Sequence, residues 1–192
     1  MRPAAEDNLK DMPHPGQIHF RRLEHGDLPL LHHWLNSGET LRWYGRKPTS
    51  YQQIVNKYSP RIEGLTPTSC YLCIYQERPI AYLQTYRIYD YPDYNSYIGA
   101  DEFTAGVDLF VGEQKYIGIG LGPRILRTFL EKIVFADRCV QTCIVGPDSG
   151  NLRAIRAYEK VGFRHWKTIQ VANEPQPEYL MCISREQIEN DI

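Results

Sequence analysis

Hydrophobic positions change their period several times along the chain, and each change marks an element. Gln17 to Leu23 alternates as a strand. Asp27 to Leu35 follows as a helix, with Asp27 as N-cap and Pro29 in its first turn. A further helix is predicted over Tyr51 to Arg61. Cys70 to Tyr75 and Ile80 to Tyr89, parted by the polar turn Gln76-Glu77-Arg78-Pro79, predict an antiparallel hairpin. Thr104 to Val111 is a strand again. From Pro123 to Phe135 the apolar residues Ile125, Leu126, Phe129, Leu130, Ile133 and Val134 take helical spacing, with Pro123 suited to the first helical position. A strand near Val140 to Val145, a helix over Asn151 to Val161, and strands near Arg164 to Val171 and Glu178 to Ile183 complete the pattern. The prediction is an α+β (mixed αβ) fold with a mostly antiparallel central sheet flanked by helices. Residues 1–16, rich in charge and proline without periodicity, are expected to form a flexible tail, leaving a single domain over 17–192.

Two stretches carry chemistry. Tyr116-Ile117-Gly118-Ile119-Gly120-Leu121-Gly122 joins a strand to a helix, and such a turn binds anions. Glycines let a ligand approach the main chain, and the unpaired N–H groups of the first helical turn point at it. The Gly-Lys-Ser/Thr ending of a nucleoside-triphosphate loop is missing, and no acidic residue completes a dinucleotide fingerprint. The second stretch is Asn151-Leu152-Arg153-Ala154-Ile155-Arg156-Ala157-Tyr158-Glu159-Lys160-Val161-Gly162-Phe163. Asn151 suits an N-cap, Ala154, Ile155, Tyr158 and Val161 form one stripe, and Gly162 suits the C-terminus.

On these two motifs the chain resembles the GNAT superfamily of N-acetyltransferases. With Gly-Val-Asp-Leu-Phe-Val-Gly-Glu before the turn, it is most similar to the aminoglycoside 6'-N-acetyltransferases, from about Gln17 to Ile183. The resemblance implies a fold whose splayed central strands hold acetyl-CoA, direct acetyl transfer to an amine, and a resistance role. It assigns Asp108 as base or substrate anchor and Tyr158 as proton donor to the departing thiolate. The cofactor would meet Phe110, Val111, Gly118, Ile119, Gly120, Leu121, Gly122, Pro123, Asn151 and Tyr158. Substrate contacts are expected from Trp43, Tyr44, Tyr86, Asp90, Asp93, Asp101, Glu102, Asp108 and Asp148. Two departures stand out: Ile117 replaces the usual Arg or Gln, and Gly146 replaces the Asp of an Asp-Pro pair, with Asp148 two residues on.

Charge adds a clue independent of family. Between Ile88 and Gln114 lie Asp90, Asp93, Asp101, Glu102, Asp108 and Glu113, with Tyr89, Tyr91, Tyr94 and Tyr97 and no Lys or Arg. Such a segment is either a solvated acidic loop or a surface that attracts a cation and stacks sugar rings. Trp43 and Tyr44 are likewise either a lid packed on the core or a wall of the cleft.

Composition narrows the partners. With 22 basic and 23 acidic residues and no basic run, nucleic acid is not expected as a partner. Neither a membrane-spanning stretch nor a signal peptide is evident, so a cytoplasmic monomer or homodimer is expected. Five cysteines form no framework. Cys70 and Cys73 fall three apart in a strand, on opposite faces, and no metal site is expected. Two other readings remain beside the antibiotic one: an acyltransferase for another small amine, such as a hydroxylysine siderophore precursor, and a binding module without turnover.

Overall fold

The computed structural model describes residues 18–190 except 173. The expected tail over 1–16 lies outside the described residues. Seven strands form one sheet in the order β1-β2-β3-β4-β5-β7-β6. Every neighbouring pair is antiparallel except β4 and β5.

The first half of the chain builds one edge of that sheet and its cover. β1 (Ile18–Arg22) is followed by a 3-10 turn, α1 (Leu28–Leu35), the short α2 (Gly38–Thr40), a π-helical turn over Leu41–Gly45, and α3 (Tyr51–Ile62). Asp27 stands at the N-cap of α1 but spends its carboxylate on Arg21 and on the Glu24 N–H, so its capping serves the preceding turn. β2 (Thr68–Tyr75) and β3 (Arg78–Arg87) form the predicted hairpin. Its turn is tighter than expected, because Gln76 and Glu77 adopt left-handed φ values of 48° and 60°, the twist a two-residue hairpin needs. Pro79 falls inside β3, beside a register shift between Cys73 and Ile74, the kind of irregularity that tolerates a missing N–H.

In β2 the pleat divides two cores. Tyr71, Cys73 and Tyr75 join the cluster built on Ile125, Phe129 and Leu130. Cys70, Leu72 and Ile74 join the opposite one, with Trp34, Ile54 and Tyr58 of α1 and α3. Cys70 and Cys73 therefore face opposite sides of the sheet, and all five cysteines are free.

The second half carries the site. After β3 the strand predicted to reach Tyr89 stops at Arg87, and Ile88–Asp90 turns into α4 (Pro92–Ile98), a helix where a loop was expected. Ile88 and Ile98 anchor it on Ile144 and Leu180. β4 (Thr104–Val111) has the predicted limits. α5 begins at Leu121 rather than Pro123 and ends at Phe129, with a π-helical turn over Leu130–Val134. Pro123 thus occupies the third helical position, still within the first turn where no N–H partner exists. β5 is short (Thr142–Val145), followed by α6 (Leu152–Val161), β6 (Arg164–Ile169), β7 (Glu178–Ser184) and α7 (Arg185–Glu189).

Candidate active site

The parallel pair ends early. β4 and β5 match only at Thr104 with Thr142, Ala105 with Cys143 and Gly106 with Ile144. Beyond Gly106 the strands splay, while β3 still pairs with β4 as far as Val111. One edge of β4 from Val107 to Val111 therefore lacks a strand neighbour and faces a cleft of ≈ 690 Å³. That volume suits a drug-sized ligand or cofactor.

Below the split the glycine turn supplies one end. Gly118 and Gly120 have φ values of 84° and 83°, a conformation costly for any residue with a Cβ. Gly120 is the N-cap of α5, and the cleft is lined here by Gly120 and Gly122, whose N–H groups at the start of the helix have no intrahelical partner, and by the ring of Pro123, which has no N–H to satisfy. Across the gap Asn151 caps α6, accepting from the Ala154 N–H at 3.1 Å. The exposed face of α6 brings Arg156 and Lys160 to the same lining. Their four-residue spacing places both on one helical face, a signal that sequence reading could have used. A phosphate-rich cofactor fits this end: free N–H donors, a helix N-terminus and two cations converge there.

The other end is acidic. Glu39, Asp108, Asp148, Glu174 and Glu178 all line the cleft. Glu39 is tied to Arg153, and Asp148 to Arg46 at 2.9 Å and to the Gly150 N–H at 2.7 Å. Asp108, Glu174 and Glu178 form no ion pair among the described residues. Asp108 sits mid-strand in β4, opposite Gln84, whose Nε2 donates to its Oδ2 at 2.6 Å. Gln84 in turn accepts from Arg61 at 2.6 Å and from the Tyr82 hydroxyl at 2.7 Å. Burial pushes the Asp108 carboxyl above its ordinary range, against the Gln84 hydrogen bond and the positive charges of Lys57 and Arg61. Burial also raises Tyr158, and the Asp108 charge raises it further, so its phenol stays protonated at neutral pH.

The aromatic pair Trp43 and Tyr44 lines the cleft. Tyr44 packs its ring 4.8 Å from that of Phe110, and Trp43 donates to Glu39 at 3.1 Å, so the two are a wall fixed to the core.

Phe110, Val111, Gly118, Gly120, Gly122, Pro123, Asn151 and Tyr158 meet in this one cleft with Trp43, Tyr44, Asp108 and Asp148. Other candidates stand apart from the lining. Leu121 turns its side chain fully into the core, and Ile119 is exposed. Tyr86 lies over Gly106, behind Asp108, in a smaller polar cavity with Arg61, Tyr91 and Tyr94. Asp93 sits in the first turn of α4, where a carboxylate favours the helix dipole. Asp101 is consumed by the turn into β4, accepting from the Phe103 N–H and the Thr104 hydroxyl. Asp90 and Glu102 are exposed outside the cleft. Of these four carboxylates Asp93 lies in α4, Asp90 in the 3-10 turn before it, and Asp101 and Glu102 in the turn into β4. Sequence reading missed Gln84, Glu178, Arg156 and Lys160.

Comparison with known proteins agrees with this geometry. The acetyltransferase (GNAT) domain profile matches residues 24–171. An aminoglycoside N(6')-acetyltransferase type 1 from Klebsiella pneumoniae is 29% identical over 161 residues, covering 82% of this chain and 79% of the relative. Among solved structures, the aminoglycoside acetyltransferase AAC(6')-Ib bound to paromomycin and acetyl-CoA superposes with a TM-score of 0.82 at 27% identity, over 90% of this chain and 96% of that one. The same enzyme with coenzyme A and kanamycin gives 0.81 at 27% identity, over 90% and 98%.

Proposed function

The chain belongs to the GNAT acetyltransferase family, and on that premise we propose that it transfers the acetyl group of acetyl-CoA to the 6'-amine of aminoglycosides, inactivating them. The observation that carries this reading is the polarity of a single cleft: phosphate-binding groups at the glycine turn, carboxylates at the other end, and the open edge of β4 between them. The relatives named for aminoglycoside acetylation, and the complexes with paromomycin and kanamycin, supply the substrate class.

Acetyl-CoA, when bound, supplies the activated thioester. The turn at Gly118, Gly120 and Gly122 with Arg156 and Lys160 would hold its phosphates, and the unpaired edge of β4 would hold its arm in strand-like register. Backbone N–H groups of Phe110 and Val111, on the stretch of β4 that lines the split, would stabilise charge on a carbonyl oxygen held there. An amine arrives protonated. Asp108, with its pKa raised by burial above the ordinary carboxylate value, accepts that proton directly or through one water and frees the nitrogen lone pair. Tyr158 holds a proton at its hydroxyl for the departing sulfur. Trp43 and Tyr44 offer ring faces to the sugar and keep bulk water from the acidic end. With its five cysteines forming no disulfide, the enzyme suits a reducing compartment such as the cytoplasm.

One observation favours a second reading, a GNAT acyltransferase for another small polyamine. Gly146 offers no carboxylate where the resistance enzymes have one, and Asp148 is already paired to Arg46. CoA release in the presence of kanamycin, tobramycin, neomycin and small polyamines decides between them, with mass spectrometry locating the acetyl group. Acetylation at the 6'-nitrogen supports the antibiotic reading. Turnover of small polyamines alone overturns it.

A further inference from the structure

Glu178 opens β7 at the cleft wall, half-buried. The Tyr94 hydroxyl of α4 donates to its Oε2 at 2.7 Å. That same oxygen lies 2.7 Å from the point a Cβ would occupy on residue 146, so the carboxylate fills the space that glycine leaves open. A side chain there, of any kind, would push Glu178 aside. Tyr94 uses one oxygen, and among the described residues no hydrogen-bond donor meets the other. Among the described residues no cation pairs with the group. Burial raises its pKa, and the negative charges of Asp108 and Glu174 add to the rise, against the Tyr94 hydrogen bond and the positive charge of Arg46 beyond ion-pairing distance. A partly desolvated carboxylate with a second carboxylate nearby is costly unless a cation joins it. Arg46, the nearby cation, is paired to Asp148, so a ligand ammonium is the group that can join Glu178 directly.

Resting on the aminoglycoside reading, we propose that Glu178 is the subsite for a second substrate ammonium, oriented by Tyr94 and admitted by Gly146, which selects substrates bearing another amino group beyond the one acetylated. The site differs from Asp148, whose carboxylate Arg46 already neutralises. It also gives α4 a functional reason: the helix delivers Tyr94 to the far strand.

The experiment is steady-state kinetics with kanamycin on wild type, Glu178→Gln, Gly146→Ala and the Glu178→Ala/Gly146→Ala pair. Glutamine still accepts from Tyr94, so Tm and acetyl-CoA affinity should hold while KM for kanamycin rises about tenfold, the weight of one charged hydrogen bond, with kcat little changed. Gly146→Ala should raise KM similarly by displacing the carboxylate, and should add nothing once residue 178 is alanine. Glu178→Asp, which keeps the charge but shortens its reach, should fall between. Wild-type turnover with an unchanged KM in Glu178→Gln overturns the subsite alone. Additive effects of the 146 and 178 changes overturn it too, because a purely steric effect of alanine needs no carboxylate. Absence of aminoglycoside turnover in wild type instead overturns the functional reading on which the subsite rests.

Discussion

Gln84 and Asp108 face each other across the β3–β4 pair, and the amide Nε2 of one donates to the carboxylate Oδ2 of the other at 2.6 Å. Because Arg61 and Tyr82 both donate to the Gln84 carbonyl, the amide cannot flip without losing three hydrogen bonds. Gln84 thus fixes the direction of Asp108 and lowers the carboxyl pKa against the pull of burial. Replacing Gln84 with Met should remove both effects. kcat/KM for the amine should fall about tenfold, and the acidic limb of its pH profile should move upward. Acetyl-CoA affinity, measured by calorimetry, should be unaltered. An unmoved pH profile would make Gln84 a packing residue.

Asp108 itself couples activity to stability. Its folded pKa is raised above the ordinary 3.8, so the native state holds the proton to higher pH than the unfolded chain does. Stability therefore falls as pH rises from that ordinary value through the folded pKa, and the full cost is present above the folded pKa. Asp108→Asn should lower kcat by about a hundredfold or more. It should also raise Tm at pH 7, by about 2–4 °C for each kcal/mol relieved. The gain should vanish below pH 3.8, where both proteins are uncharged at this position. Thermal melts across pH test it, and a lower Tm at pH 7 would show that the ionised carboxylate is net stabilising.

Tyr158 lies in the cleft lining with its phenol pushed above its usual range by burial and by Asp108. Its ring leans on Phe163 at 6.0 Å, a contact that phenylalanine preserves. Tyr158→Phe should leave Tm and acetyl-CoA binding intact and reduce kcat about a hundredfold, as loss of a positioned acid does. Equal loss of binding and turnover would assign the hydroxyl to binding.

Legibility in the sequence followed the range of the interactions concerned. β4 and the helix after Asn151 were readable because their limits are set locally, by alternation in one case and by an Asn cap and Gly162 in the other. α4 was not readable. Asp93, Asn95 and Ser96 are poor helix formers, and the helix exists because Ile98 reaches a core on Ile144 and Leu180 and Tyr94 reaches Glu178, 84 positions away. The acidic run was visible, but of its six carboxylates only Asp108 lines the cleft, while Glu178, from a strand end with no local signal, came in. Gln84 did leave a trace, as an amide directly after the apolar run Ile80 to Leu83, and its meaning appeared only when β4 set Asp108 against it.

The glycine turn offers a paired test, because Gly120 and Gly122 meet no atom within 4 Å where a Cβ would stand, yet only Gly120 has a left-handed φ, 83°. Added methyls would thus differ in backbone strain and agree in having room. Gly120→Ala should cost about 1 kcal/mol of stability, the penalty of the left-handed region for a residue with a Cβ. Gly122→Ala, in the first turn of α5, should fold at least as well as wild type, since alanine is the better helix former. Both residues line the cleft, so a methyl at 122 projects toward the place the cofactor phosphates would take. Acetyl-CoA affinity should therefore fall in Gly122→Ala without any loss of Tm, whereas in Gly120→Ala the two should fall together. Denaturant titration with calorimetry on both variants separates these outcomes. Unchanged affinity in Gly122→Ala would place the phosphates elsewhere, on Arg156 and Lys160 alone.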